Sequence, residues 1–415
     1  MLQSEIVKKY DKYKDSGIEW IGEIPQEWEI RKIKYLAKIG SGDSLTKELL
    51  CENGNFPVFG GGSIIGYTND YNTTFDNILI GRVGANCGCI TWLNNNCWAT
   101  DNALKVKLMT NLHKKLFYYF LISLELNRLN DSNAQPLITS TKILNTFVTY
   151  PTDIIEQHQI AEYLDKKCGE IDRVIETEKA VIEKLKEYKQ SIITEAVTKG
   201  LDKSVPLKDS GIEWIGKIPQ HWETIRLKYK FKIKKDIAGK EGFDILSVTQ
   251  KGLKIKDISN NEGQLAMDYS KYQIVEPTDF VMNHMDLLTG WVDCSIYSGV
   301  TSPDYRVFVN TDKQKCDNEY YKHIFQTCYR NKIFFGLGQG VSDLGRWRLQ
   351  ADKFLNFIIP VPPYEEQLEI NDYIDKKCSE IDKAIADKEQ VIEKFTEYKK
   401  SLIYECVTGK RKVAD

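Results

Sequence analysis

The sequence predicts an α+β protein in which two β-rich domains are joined by two long α-helices, arranged as an internal repeat. Three observations support this prediction: a short tryptophan-containing block occurs twice, a long charged block occurs twice, and two glycine-rich inserts differ from each other. Two copies of a block within one chain indicate a duplication. A chain of 415 residues, of which 42% are hydrophobic, can form several packed cores.

The short block opens each half of the chain. Residues 15–28 contain Gly-Ile-Glu-Trp-Ile-Gly and then Ile-Pro-Gln-x-Trp, and the same pattern returns 194 residues later at 209–222. A tryptophan contributes a large apolar surface and one N–H donor. We interpret both blocks as structural turns whose tryptophans fill the edge of a core.

A basic segment follows each short block. From Arg226 to Lys235, apolar and cationic residues alternate, which predicts a half-buried strand with one basic face. Residues 32–39 repeat this pattern more weakly. Both segments are candidates for binding an anionic partner.

The inserts, residues 39–150 and 236–360, contain short β-type runs separated by turns, many of them with glycine. Each also contains one predicted helix, near 112–127 and near 319–334. Short strands with frequent turns predict β-rich domains, and the added helices make both domains α+β. We therefore predict four segments: domains at 1–150 and 201–360, and long helices at 151–200 and 361–415.

The long block predicts two extended helices. Residues 156–200 return at 366–410 with 24 of 45 positions identical, and no proline interrupts either copy. Apolar residues recur at alternating spacings of three and four, as in a coiled-coil seam. The predicted seam residues are Ile171, Val174, Val181, Leu185, Tyr188 and Ile192, and in the second copy Ile381, Ala384, Val391, Phe395, Tyr398 and Leu402.

One glutamate and one lysine interrupt the seam at equivalent positions. Glu178 in the first copy corresponds to Lys388 in the second, so the two side chains could pair if the helices lie side by side. Two copies in one chain favour an intramolecular pair, although an intermolecular coiled coil has the same pattern. We interpret the helices as a spacer between the two domains.

Bulk composition excludes several classes. The 57 basic and 59 acidic side chains nearly cancel, so any basic surface must be a local patch. Ten dispersed cysteines fit reduced thiols, and five scattered histidines give little support to a metal site. No segment resembles a signal peptide or a membrane helix, so we expect a cytoplasmic protein with no cofactor and no membrane contact.

We find no motif for catalysis. The sequence has no phosphate-binding loop, because Gly239 to Gly242 lack the required spacing. Val361-Pro362-Pro363-Tyr364 has valine where a methyltransferase loop needs a hydrogen-bond acceptor, and Pro303-Asp304 is not followed by the remainder of a nuclease motif. We therefore expect no enzymatic activity from this chain alone.

The glycine-rich loops are candidates for reading DNA. Arg82 could bind guanine and Asn86 could bind adenine through paired hydrogen bonds, and bare glycine amides can meet phosphates. Purely structural turns are the alternative. The predicted DNA-binding residues are Lys34, Gly61, Gly62, Ser63, Tyr67, Arg82, Asn86 and Gln135 in the first half, and Lys228, Lys230, Gln250, Lys251, Asn283, His284, Ser342 and Arg346 in the second.

Taken together, these motifs resemble the specificity subunits of type I restriction-modification systems over nearly the whole chain. The resemblance rests on the repeated openings, on Phe59 to Tyr67, on Ile80 to Gly84 with Thr100 to Leu104, and on Ala134-Gln135-Pro136. It also rests on a proline followed by Glu-Gln at the head of each long helix. The second insert departs from the pattern, because Gly-Arg-Val-Gly has no counterpart at residues 283–286.

The resemblance implies a fold and a function. It implies two target-recognition domains, each reading one half of a split sequence in double-stranded DNA, and an antiparallel intramolecular coiled coil with pseudo-twofold symmetry. It further implies that the helices bind two methyltransferase subunits, through which motor-nuclease subunits join, and that the chain itself performs no chemistry. Two alternatives remain open: a coiled-coil adaptor that does not touch DNA, and a stand-alone methylase or nuclease with degenerate motifs.

Overall fold

The computed structural model describes residues 8–129, 136–257, 268–340 and 347–413. The chain divides into two compact units. Unit 1 consists of Met1–Lys179 and Lys388–Asp415, and unit 2 of Ala180–Asp387. Each unit therefore contains one copy of the short block and parts of both long helices. None of the described helices is both long enough and apolar enough to cross a membrane.

The described residues of unit 1 form eleven short strands, two short helices and parts of both long helices. Three 3-10 turns lie at Ile33–Tyr35, Lys47–Leu49 and Leu126–Leu129. In chain order the elements are β1 (Tyr13–Asp15), β2 (Glu23–Pro25), β3 (Trp28–Lys32), β4 (Ala37–Ser41), β5 (Phe56–Phe59), β6 (Ile64–Thr68), β7 (Asn77–Gly81), β8 (Ile90–Leu93), β9 (Trp98–Ala99), β10 (Ala103–Leu108), α1 (Lys114–Ser123), α2 (Ser140–Leu144), β11 (Phe147–Pro151) and α3 (Ile154–Lys199).

The main sheet of unit 1 is antiparallel, with strand order β4-β10-β7-β8. A second sheet has the order β6-β5-β9, and its β5–β9 pair is parallel. The core beside the main sheet contains the fully buried side chains of Trp28, Phe117 and Phe120. Ile160 and Leu164 of α3 are also buried in this core, so the head of the long helix is part of the unit.

In unit 2, the residues that the structure describes form twelve short strands, three short helices and the remaining parts of both long helices. A 3-10 turn lies at Leu227–Tyr229. In chain order the elements are β12 (Leu207–Asp209), β13 (Lys217–Pro219), β14 (Glu223–Arg226), β15 (Phe231–Lys234), β16 (Ile245–Thr249), β17 (Gly252–Ile255), β18 (Gln273–Val275), β19 (Phe280–Met282), β20 (Val292–Cys294), β21 (Gly299–Thr301), β22 (Arg306–Asn310), α4 (Asn318–Arg330), α5 (Ile333–Gly336), α6 (Ala351–Leu355), β23 (Ile358–Val361) and α7 (Tyr364–Val407).

Unit 2 repeats the sheet plan of unit 1. Its main sheet has the order β15-β22-β19-β20, and its second sheet, β17-β16-β21-β18, also contains one parallel pair, β16–β21. The core is aromatic: the rings of Phe231, Phe280, Phe308 and Phe325 have centroids 5.0 to 5.9 Å apart. Such pairs add to the stabilisation from burial alone. The predicted α+β class is confirmed.

The basic segments are not continuous strands, contrary to the prediction. In unit 2 the chain leaves β14, passes through the 3-10 turn Leu227–Tyr229 and enters β15. Strand β14 pairs with β23 whereas β15 pairs with β22, so the chain must turn between two sheets. Unit 1 has the same break at Ile33–Tyr35, between β3 and β4. Alternation of apolar and cationic residues could not reveal this change of partner.

The repeated tryptophans join the ends of the long helices. In unit 1, the Trp28 indole N–H donates to Glu156 at the head of α3 (3.3 Å). In unit 2, Trp222 donates to Glu366 at the head of α7 (3.0 Å). Each tryptophan ring also lies beside a glycine of positive φ that follows the end of the other long helix in its unit. In unit 1 this is Gly409, after α7, where a Cβ would lie 3.4 Å from Trp28. In unit 2 it is Gly200, after α3, where a Cβ would lie 3.2 Å from Trp222. The Glu of each Glu-Gln motif is therefore structural.

The glutamine of each motif has the same kind of role. Gln157, at the start of α3, donates to the Pro151 carbonyl (2.8 Å) and accepts from the His113 backbone N–H (2.9 Å). Gln367, at the start of α7, donates to the carbonyls of Lys315 (2.8 Å) and Pro362 (2.9 Å). It also accepts from the backbone N–H of Asp317 (2.8 Å). Both side chains are buried, and they satisfy backbone groups that would otherwise lack partners.

The long helices run antiparallel within each unit. In unit 1, Lys399 donates to Asp172 (2.6 Å) and Lys388 donates to Glu178 (2.7 Å). The second contact confirms the predicted pairing of the two polar seam residues. In unit 2, Lys189 donates to Asp382 (2.7 Å). Within unit 1, a later residue of one helix pairs with an earlier residue of the other, as an antiparallel arrangement requires.

The predicted seam is partly wrong in its phase. Residues at seven-residue intervals, such as Ile171, Leu185 and Ile192, are buried or half-buried, as expected. However, Val174 is 37% exposed and Tyr188 is 59% exposed. Val181 is only half-buried, and so are Ala384, Val391, Phe395 and Tyr398 in the second copy, whereas Ile381 and Leu402 are buried. The residues buried in place of Val174 and Val181 are Ile175 and Ile182, each one residue later in the sequence. Each lies beside another β-branched apolar residue, so the pattern alone could not separate them.

Candidate DNA interface

The β5–β6 hairpin of unit 1 packs against the loop that follows β7. The Gly60 N–H donates to the Ser63 carbonyl (2.9 Å), which closes the turn. A Cβ on Gly61 would lie 2.5 Å from the carbonyl oxygen of Val83, and one on Gly62 would lie 2.9 Å from the Asn86 Cβ. These glycines therefore allow the two loops to touch, and the contact brings Gly61, Gly62, Ser63 and Asn86 together. Ser63 and Asn86 are exposed.

Arg82 is held in place at the end of β7. Its backbone N–H donates to Asn102 (3.0 Å), and its carbonyl accepts from Ile138 (2.9 Å). The guanidinium Nη1 donates to the Ser41 hydroxyl at 3.0 Å and to the Asp101 carbonyl at 3.4 Å. A guanidinium has five N–H groups, and these contacts fix its plane while using only Nη1. The side chain is half-buried, and a guanidinium in general can donate to a planar pair of acceptors.

Asn283 occupies the equivalent position in unit 2. Asn283 is the first residue after β19, as Arg82 is the first residue after β7. The two strands occupy the same place in their sheets, because β7 pairs with β10 in unit 1 and β19 pairs with β22 in unit 2. Its side-chain oxygen accepts from the Met285 N–H (3.3 Å) and its carbonyl accepts from the Tyr329 hydroxyl (2.8 Å). An amide oxygen has two lone pairs, so a further acceptor site remains on Asn283.

The β16–β17 turn lies beside the Asn283 loop. Gln250 in this turn donates to the Thr289 carbonyl (3.2 Å), and both Gln250 and Lys251 are exposed. Within the loop, the carboxylate of Asp286 accepts from the backbone N–H groups of Leu288 and Thr289, both at 3.0 Å. The hydrogen bond from Gln250 to Thr289 thus places the β16–β17 turn beside the loop that follows β19, which comes more than 30 residues later in the sequence.

A cavity of about 350 Å³ borders Asn283. Its wall includes three tyrosines, Tyr269, Tyr272 and Tyr305, and the rings of the first two are 5.0 Å apart at an interplanar angle of 76°. Tyrosines combine an apolar ring with a hydrogen-bonding hydroxyl. They were not singled out from the sequence, because Tyr305 comes from a different segment and no spacing links it to the other two.

Comparison with known proteins finds similarity to one family. Residues 25–187 match the family model for the type I restriction modification DNA specificity domain. The type I restriction enzyme EcoprrI specificity subunit of Escherichia coli is 27% identical over 163 residues, which cover 38% of this chain and 40% of that relative. The type I restriction enzyme MjaVIII specificity subunit of Methanocaldococcus jannaschii is 23% identical over 424 residues, which cover 94% of both chains.

Residues 25–187 therefore match a type I restriction modification DNA specificity domain, and the chain is similar over nearly its whole length to a type I specificity subunit. The fold of this chain matches that of a solved structure from work on the complex assembly and conformational transition of the type I R-M system. That match has a TM-score of 0.64 at 10% identity and covers 92% of this chain and 98% of the other. At this identity the match concerns the fold alone.

Two residues predicted to contact DNA, His284 and Lys230, are largely buried in this structure. His284 is only 6% exposed, and burial together with the nearby Arg306 and Arg348 lowers its pKa to about 3. Its backbone carbonyl accepts from Leu349 (3.0 Å), which holds the residue beneath the surface. Lys230 is also largely buried and is paired with Asp312, so its charge is neutralised within the unit.

The remaining residues predicted to contact DNA lie elsewhere. Lys34 and Lys228 are exposed on the 3-10 turns, before β4 and β15. Tyr67 is 39% exposed on β6, where its backbone pairs with Cys51. Gln135, Ser342 and Arg346 lie outside the described residues.

Proposed function

We propose that this specificity subunit reads a bipartite sequence in double-stranded DNA, with one half-site read by each unit. The observation that carries this proposal is the pair formed by Arg82 and Asn283. They follow equivalent strands of equivalent sheets, yet they differ in chemistry and in surroundings. A conserved frame with different side chains at the reading position is what two different half-sites require.

The chemistry of the two residues supports different bases. A guanidinium fixed in one plane, as in Arg82, can donate two parallel hydrogen bonds to the O6 and N7 atoms of guanine. The amide of Asn283 can both donate and accept, which matches the N6 and N7 atoms of adenine. Ser63, Asn86, Gln250 and Lys251 lie next to these positions, where they can contact neighbouring bases or phosphates.

The proposed complex follows from similarity to the family. The target-recognition domains are residues 1–150 and 201–360, and the helical segments 151–200 and 361–415 hold two methyltransferase subunits, through which motor-nuclease subunits join. The specificity subunit itself contributes no catalytic group and no cofactor. Among the described residues, no cluster of three or more His, Cys, Asp or Glu side chains could hold a metal ion.

The test is a methylation map with two variants. Arg82→Ala and Asn283→Ala are each expressed in cells together with the methyltransferase subunit, and the methylated motif is determined by sequencing. Each variant should relax one base position in one half-site, at a cost of about 1–3 kcal/mol at that position, and leave the other half-site unchanged. A uniform loss of methylation at all sequences would instead make the residue a phosphate contact, and changes in both half-sites would contradict the modular assignment.

A further inference from the structure

Each unit carries the same exposed basic patch at the 3-10 turn. In unit 1 the patch consists of Lys34, Tyr35 and Lys38, and in unit 2 of Lys228, Tyr229 and Lys232. The two sets are related by the same 194-residue offset as the short blocks. We call these the Lys-Tyr-Lys patches.

The geometry of the patches is also duplicated. Tyr35 is 60% exposed and Tyr229 is 66% exposed, which is unusual for such large side chains. The ammonium group of Lys34 lies 5.0 Å from the Tyr35 ring centroid, and that of Lys228 lies 5.5 Å from the Tyr229 ring centroid. The same cation–π contact therefore occurs at the same place in both units.

The lysines of the patches differ from their neighbours. Lys230 is paired with Asp312, and Lys234 with Glu276 (2.9 Å) and Asp279 (2.8 Å). By contrast, all four patch lysines are exposed and form no ion pair with a carboxylate in the part of the chain that the structure describes.

Two of the unpaired lysines recur at equivalent positions of the two units. Lys228 and Lys232 have lysine counterparts in unit 1, whereas the positions equivalent to Lys230 and Lys234 are Leu36 and Gly40. Within this segment, the lysines that pair with carboxylates are therefore particular to unit 2. Of the other lysines, Lys228 and Lys232 are common to both units, whereas Lys235 has Ser41 at the equivalent position. The two shared lysines indicate a partner that both units share.

We propose that the Lys-Tyr-Lys patches bind the phosphodiester backbone of DNA, independently of sequence. This inference rests on the proposed function and deepens it, because it separates backbone contacts from base contacts. The backbone is chemically the same in both half-sites, so one surface can serve both units while the reading loops differ. Protein–protein interfaces are depleted in lysine, so an uncompensated lysine cluster favours a polyanion over the methyltransferase subunit.

The position of the patch in unit 1 fits this role. Lys34 and Tyr35 precede β4, whereas Ser41, which anchors Arg82, ends that strand. Four residue steps at roughly 3.3 Å separate Ala37 from Ser41 by about 13 Å. The major groove is about 12 Å wide, so a loop that reads bases in the groove places the patch near the flanking phosphates.

The test uses the full chain and a duplex of random sequence. The variants are Lys34→Gln with Lys38→Gln, and Lys228→Gln with Lys232→Gln. The control is Lys179→Gln with Lys186→Gln, which removes two exposed helix lysines that pair with glutamates on the same helix. Binding is measured by fluorescence anisotropy between about 50 and 200 mM salt.

Each patch variant should reduce the slope of log affinity against log salt by about 0.9 per lysine, or about 1.8 per pair. Over that salt range, the wild-type chain should lose roughly tenfold more affinity than the variant, and the control should match the wild type. Unchanged slopes in both patch variants, or no binding of the random duplex by the wild type at low salt, would overturn the proposal.

The partner assignment has its own arm. Tyr35→Ala with Tyr229→Ala, and the two lysine pairs, are tested for co-purification with the methyltransferase subunit. If the variants still co-purify with the methyltransferase subunit and bind DNA with a smaller salt dependence, the patches bind DNA. If they lose the methyltransferase subunit and keep the salt dependence of the wild type, the patches are a protein-docking surface, and the proposal is overturned. Failure of the proposed function looks different: the wild type would bind the random duplex and the mapped target equally well.

Discussion

The two units share a frame and differ in their reading loops. In both, an indole N–H meets the glutamate at the head of one long helix, and a glycine follows the end of the other helix beside the same ring. At the reading position, however, unit 1 has an arginine tied to Ser41, and unit 2 has an asparagine beside a cavity and a buried histidine. Duplicated positions therefore show what both halves need, and divergent positions show what each half does alone.

The largest expected effect concerns the frame. Gln367→Leu would leave the carbonyls of Lys315 and Pro362 and the N–H of Asp317 without their present partner, whereas Gln157→Leu affects only two backbone groups. At about 1–3 kcal/mol for each buried unsatisfied group, we expect the free energy of unfolding to fall by about 4 kcal/mol for the first variant and about 2.5 kcal/mol for the second. Both free energies of unfolding are measured by urea denaturation monitored with circular dichroism.

A matched control is available on the first helix. Gln159 is exposed, so Gln159→Leu should change the free energy of unfolding by less than about 0.5 kcal/mol. If Gln367→Leu were no more damaging than this control, the Glu-Gln motif would not be part of the frame.

The frame could be predicted from the sequence because its signals are local or duplicated. Helix periodicity predicted both long helices, and the equivalence of two positions predicted the contact between Glu178 and Lys388. The phase of the seam could not be predicted, because Val174 and Ile175 are both apolar and only the direction of the partner helix decides which is buried.

The reading loops could be predicted only in part, because burial there depends on distant residues. Lys228 and Lys230 are indistinguishable in the alternating pattern, but the partner of Lys230, Asp312, lies 82 residues away. His284 was predicted because residues 282–286 correspond to the glycine-rich loop of unit 1, but it is buried, and its carbonyl accepts from the N–H of Leu349, 65 residues later. Arg82 remains a prediction supported by its geometry and awaits the methylation map.

The buried histidine should make the stability of unit 2 depend on pH. Unit 1 has no titratable group at the equivalent position, because the residue after Arg82 is Val83. The folded-state pKa of His284 is about 3, and the unfolded value is about 6.5. Between these values the unfolded chain binds a proton that the folded chain does not, so stability is lost as pH falls. The free energy of unfolding should drop by up to about 1.4 kcal/mol per pH unit, and by about 2.3 kcal/mol in total from pH 6.5 to 4.5.

Comparison of the wild type with His284→Leu isolates this proton. The variant should have a shallower dependence of the free energy of unfolding on pH in this window, whatever its absolute stability, as measured by urea denaturation at several pH values. Parallel curves for the two proteins would mean that His284 is accessible to solvent, and its predicted role as a DNA contact would then be open again.

The smallest expected effect compares the ion pairs between the helices. In unit 1, Lys388 and Glu178 are 32% and 22% exposed, whereas in unit 2, Lys189 and Asp382 are 30% and 59% exposed. Water screens the more exposed pair more strongly, so double-mutant cycles with glutamine and asparagine should give coupling energies of about 0.5–1 kcal/mol in unit 1 and about 0.3 kcal/mol in unit 2. Raising the salt concentration from about 0.1 to 1 M should remove the unit 2 coupling first, because the Debye length falls from about 10 to 3 Å. Equal couplings that respond equally to salt would show that exposure does not distinguish the two helix contacts.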